Sequence, residues 1–203
     1  VADTRLGWDK AQKHAKTIVQ TGGLSREQHL EAFRRFLKSP KSQDKKIALA
    51  LLELFIETYP EDFDTDISFK DLAKWGIELG NKLSSEFGKS VLLNVLLKRS
   101  LPAVWIDEMS DEGSTSLRKA FATAIAEMSR RKGEPLERVL GILEFFMDEP
   151  DLETRKILAQ AFRNVGAGDP ERLHYFMNEF SAGAGSNRTA LFNMVKEKTG
   201  KAD

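Results

Sequence analysis

The sequence predicts an all-α protein built as a right-handed stack of antiparallel helical hairpins, about ten or eleven helices in all. Three observations carry this reading. Apolar residues recur at helical spacing along most of the 203 residues, while strand signals are absent. The connections between periodic segments are short, as antiparallel hairpins require. A basic-pair segment also returns at a fixed interval, taken up below.

The first helix is read over Trp8–Gln20 and closed by Thr21-Gly22-Gly23. Ser25, with Gln28 three residues on, forms a capping box that opens the second. There Leu30, Phe33, Phe36 and Leu37 lie on one face, and Ser39-Pro40 ends the helix. Ser42 is read as the cap of a third helix, apolar on nearly every side from Ile47 to Ile56, which predicts that neighbours enclose it. Tyr59-Pro60 stops it, and an acidic loop from Glu61 to Asp66 leads to a long helix from about Ser68 to Phe87. Gly88 is read as a break before a short apolar helix, Val91 to Leu97. Pro102 starts a helix to about Met109, followed by the loop Asp111-Glu112-Gly113-Ser114. The remaining helices are read as Ser116–Arg131, Pro135–Met147, Leu152–Val165, Pro170–Phe180 and Asn187–Lys198, with Pro135 and Pro170 at first helical positions.

The recurring segment is Ser116-Leu117-Arg118-Lys119-Ala120-Phe121-Ala122, matched by Glu153-Thr154-Arg155-Lys156-Ile157-Leu158-Ala159, so that Arg118 and Arg155 stand 37 residues apart. Asp44-Lys45-Lys46-Ile47-Ala48-Leu49-Ala50 is a looser copy, with Lys45 lying 73 residues before Arg118, about two periods. Two helices per period of about 40 residues is the signature of HEAT and armadillo α-solenoids. A single array over 1–203 is therefore expected, with an N-terminal capping helix within 1–24 and a C-terminal capping helix and tail over 181–203. A plain helical bundle is the competing reading; it explains amphipathic helices but not basic pairs at one phase of the period. Leu51, Leu52, Phe55, Phe121, Ile125 and Leu158 are expected in the core.

Composition limits what such an array does. Hydrophobic residues make up 41% and charged residues 31%, which excludes a disordered chain and one embedded in a membrane. No apolar run approaches the roughly 20 residues that span a bilayer, and residues 1–20 lack the pattern of a secretory leader. The absence of cysteine removes disulfides, thiol nucleophiles and thiolate-bound zinc, and a reducing cytoplasm is the expected location. Charge balances at 31 basic against 31 acidic residues, which is not the footprint of a strongly basic nucleic-acid binder.

Familiar chemical motifs are incomplete. Gly88-Lys89-Ser90 lacks the preceding strand and the glycine at position 83 that a phosphate loop needs; Leu83 stands there. His14, His29 and His174 are too scattered for a metal motif, so no metal and no cofactor are expected. The acid pairs Asp107/Glu108 and Asp111/Glu112 are read as solvated charges, and Trp8, Trp75 and Trp105 as core packing rather than base-stacking platforms. Asn187-Arg188-Thr189 matches a glycosylation sequon.

At several of these segments the chain resembles the HEAT-like DNA glycosylases that remove alkylated purines. The resemblance rests on Asp151–Arg163 continuing to Gly168-Asp169-Pro170-Glu171, on Leu117-Arg118-Lys119-Ala120, and on Lys70-Asp71-Leu72-Ala73-Lys74 with Gly80 further on. It covers about residues 30–195. It implies the family's fold, a right-handed helical stack. It does not carry the activity across. Lys70 and Lys74 stand where the family has its tryptophan and its catalytic aspartate, and a lysine repels the cationic sugar that the aspartate stabilises. Gln160 replaces a second tryptophan, and a shifted register offers only Trp75 with Glu78, while Arg118 keeps a counterpart.

The expectation is a non-enzymatic scaffold whose concave surface takes a macromolecular partner, protein or duplex DNA backbone. The alternative is a DNA-binding relative of the glycosylases with weak or altered activity, for which Glu78 is the candidate acid. The candidate binding residues are Lys45, Lys46, Lys74, Arg118, Lys119, Arg155 and Lys156. Cations stacked at one phase can follow a phosphate backbone without reading sequence.

Overall fold

The computed structural model describes residues 7–60, 68–98, 114–131 and 136–199. The acidic loop after Pro60, the helix expected over Pro102–Met109, Trp105, both acid pairs and Pro135 lie outside the described residues. Among those described the chain is all-helical, with no strand. Close backbone contacts divide it into two compact units, Val1–Leu83 and Ser84–Asp203.

In the first unit the helices are α1 (Trp8–Gly22), α2 (Arg26–Leu37), α3 (Ser42–Thr58) and α4 (Phe69–Leu79). The centre is α3, which begins at Ser42 with Lys41, not Ser42, in the cap position and no side-chain cap bond, and α1 and α2 both pack on it. Its apolar residues point in most directions, and Ile47 to Leu52, Phe55 and Ile56 are all buried. The α1 helix comes close because the residues it turns inward, Ala11 and Ala15, are small. Ser25 and Gln28 form the expected reciprocal cap of α2, and Ser68 with Asp71 repeats the device at α4. Trp75 of α4 is buried edge-on against Phe33 of α2, ring centroids 4.8 Å apart.

The long helix expected from Ser68 to Phe87 is interrupted. It stops at Leu79 because Gly80 turns the chain into the positive-φ region, φ 78°, open to a residue without Cβ. Gly88, read from sequence as a helix stop, lies inside a helix instead. Ser84–Phe87, a π-helical turn Gly88–Leu92 and Leu93–Lys98 run on without a break as α5.

The second unit continues with α6 (Thr115–Met128), α7 (Leu136–Glu144), α8 (Leu152–Gly168), α9 (Pro170–Glu179) and α10 (Ser186–Thr199). Here α5 packs on α6, α6 on α8 and α8 on α10, while α7 touches α6 and α8, and α9 touches α8. Ala120, Ala122, Ala124 and Ala126 keep α6 thin enough to be enclosed in this way. At Gly88 an added Cβ would overlap the Ala120 carbonyl oxygen and approach Thr123 Cβ to 3.0 Å, so glycine sets the closeness of α5 and α6. Phe162 of α8 meets Phe176 of α9 at 5.9 Å and Phe192 of α10 at 6.0 Å. All six residues expected in the core are buried, none more than 2% exposed.

Candidate functional site

The basic pairs begin helices, and their surroundings decide what their charges do. Ser114 caps α6 and Asp151 caps α8 by accepting the backbone N–H of Leu117 and Thr154 respectively. Each cap leaves the following arginine, Arg118 or Arg155, one turn inside the helix and facing the next one along. Arg118 is buried. Its Nε donates to both carboxylate oxygens of Glu149, at 3.3 and 3.0 Å, just ahead of α8. Glu149 is 3% exposed and also accepts the Asp151 N–H at 2.9 Å, so the pair is fixed on both sides. Arg155 is half-buried, and its Nη1 donates to Asn187 Oδ1 at 2.9 Å, at the start of α10.

In the first unit Lys45 also reaches forward, to the end of a helix rather than its start. Its Nζ donates to the Glu78 carbonyl oxygen near the end of α4, where a cation also complements the helix dipole. Lys45 reaches 33 residues forward, Arg118 31 and Arg155 32. The three basic residues read as equivalent from the sequence thus join one helix to the helix or helix entrance that follows about 32 residues later.

Further polar links accompany these in the second unit. Asn164 Nδ2 of α8 donates to Ser129 Oγ at 2.9 Å and to the Ala126 carbonyl at 3.2 Å, both at the end of α6. Arg163 Nη1 donates to the Met194 carbonyl of α10 at 3.0 Å. Arg172 of α9 makes a two-pronged contact with Glu137 of α7, at 2.7 and 2.6 Å, which holds that carboxyl below its ordinary range.

No protein-family model, curated protein or solved structure matches this chain.

The other candidate residues have different surroundings. Lys119 is half-buried; with Arg118 it helps to keep the Asp151 carboxyl below its usual range, behind the larger effect of the Thr154 N–H. Lys156 is exposed and pairs with Glu153 at 2.7 Å, a surface contact within one turn. Lys74 is exposed on α4, Lys46 is half-buried on α3, and the Glu78 side chain is half-buried. Among the described residues no group of three or more His, Asp or Glu is placed to hold a metal ion, and no helix is long and apolar enough to cross a membrane. Sequence reasoning missed Glu149 and Asn187. Their signal was an acid or amide at nearly constant distance after Arg118 and Arg155, just before or at the start of a helix.

Proposed function

We propose that the chain is a non-enzymatic scaffold of HEAT-like repeats, a right-handed helical stack that offers its helix faces to a protein partner. The observation that carries this reading is the forward link made by Lys45, Arg118 and Arg155, each about 32 residues long. The partners differ, a carbonyl at one helix end and a carboxylate and an amide at helix starts, but the sequence distance is nearly constant, which a globular bundle has no reason to repeat. A stack of hairpins does, because each hairpin meets only its neighbours.

The same contacts favour protein over nucleic acid. A phosphate track needs cations free to face a backbone, whereas the Arg118 guanidinium is buried on Glu149 and Lys45 is turned to a helix end. Exposed Phe145, Leu152 and Tyr175 in the second unit supply apolar contact points of the kind a protein partner uses.

Two measurements test the reading. Fluorescence anisotropy with a labelled duplex at about 50 mM and about 200 mM salt should show no salt-dependent retention, and alkylated purines should not be released. Retention with a steep salt slope, or base release, would transfer the argument to the glycosylase-related alternative and to Lys74, Lys119 and Lys156. Photo-crosslinkers placed at Leu152 or Tyr175 in the native cell should each trap the same discrete protein, and placed at exposed Lys13 should trap none. Crosslinking that does not depend on position would overturn the scaffold reading.

A further inference from the structure

His29 does not belong to the proposed scaffold surface. It lies on α2 with its side chain fully enclosed, 0% exposed. Its Nε2 is 2.9 Å from the Leu51 carbonyl oxygen of α3. A carbonyl only accepts, so Nε2 carries the proton and Nδ1 holds the lone pair. Nδ1 is buried without a hydrogen-bond partner. The rings of Phe55 and Tyr59 stand edge-on to the imidazole at 5.4 and 6.3 Å. The neutral ring fits this site. The protonated ring would bury a charge and a second N–H with nothing to accept it.

We propose that His29 is an acid-sensitive latch: neutral, it holds α2 on α3; protonated, it releases α2 and opens the first unit.

Among the described residues, the groups around it leave the charge uncompensated. Tyr59 is the titratable side chain in ring contact. On α3, Glu53 is engaged by Gln12 of α1 and Lys45 by the Glu78 carbonyl. On α4, Asp71 is held by Ser68, and Lys74 is exposed. Burial pushes the imidazole below its ordinary value of 6.5 against the opposing pull of the Leu51 carbonyl, with no contribution from a charged neighbour among the described residues. The sign follows. The unfolded chain takes up the proton more readily than the folded one, so the latch contributes fully above about 6.5 and is lost as pH falls from there through the lowered folded value. His14 and His174 are exposed and do not share this arrangement.

The test compares urea unfolding of the full chain and of His29→Gln between about pH 7.5 and about pH 5. Glutamine can still donate to the Leu51 carbonyl but does not titrate. The wild-type midpoint should fall at least about twice as far as that of the variant, while His14→Gln and His174→Gln follow the wild type. Parallel curves for wild type and His29→Gln would overturn the proposal. If His29→Gln does not fold, proton NMR of the wild type decides. An imidazole that stays neutral until α2 and α3 amides lose exchange protection supports the latch; one titrating near 6.5 in the folded protein refutes it.

Discussion

A buried arginine is stable only with its partner, and Arg118 shows how one residue's role is fixed from elsewhere in the chain. Glu149→Ala leaves the guanidinium enclosed and unpaired, and should cost about 3–5 kcal/mol in urea unfolding. Replacing both Arg118 and Glu149 by Met should cost clearly less, because no buried charge is left behind. Asp151, beside this pair, gives a second expected outcome. Asp151→Ala removes the cap of α8 and should cost about 1 kcal/mol at neutral pH. Since the carboxyl is held below its usual range, that difference is present above the range and disappears as pH falls through the lowered folded value. The place of Arg118 near the start of a helix was legible in the sequence. Its burial was not, because Glu149 lies 31 residues away and nothing local reveals their meeting.

Helix ends were legible where a side chain makes the cap, as at Ser25 with Gln28, since that signal is complete within four residues. They were misread where glycine decides. Gly80 and Gly88 look alike in sequence, yet one takes a positive φ and ends α4 while the other sits in a π-helical turn pressed on α6. Part of the difference is tertiary, since Gly88 meets the Ala120 carbonyl and Gly80 has nothing near its missing Cβ. Substitution should separate the two kinds of glycine. Gly88→Ala forces α5 and α6 apart and should destabilise by about 1–3 kcal/mol. Gly141→Ala, on α7 with nothing near its missing Cβ, should stabilise by about 0.5–1 kcal/mol. Thermal unfolding of the two variants checks both signs.

Across the molecule, the all-α class and the core were readable because helical periodicity needs no partner to be visible. The clustering of close contacts on either side of Leu83 was not, because it depends on which helices meet in space. Leu51 and Leu158 belong to different units and are both fully buried. Each change to Ala should cost about 2–5 kcal/mol. Because close contacts cluster within each unit, hydrogen exchange should show Leu51→Ala loosening chiefly residues 1–83 and Leu158→Ala chiefly residues 84–203. Equal loss of protection throughout would show that the chain opens only as a whole.

The amide of Asn187 has one further consequence. Its Oδ1 receives Arg155 and its Nδ2 donates to the Asp148 carbonyl at 3.3 Å, so the side chain that a sequon marks for sugar attachment is already occupied in the fold. An oligosaccharide transferred before folding would replace one of the two Nδ2 hydrogens and crowd the Arg155 and Asp148 contacts at the start of α10. Production through a eukaryotic secretory route should therefore yield a glycosylated, poorly packed product. Thr189→Ala, at an exposed position, should abolish the sugar and restore the native protein.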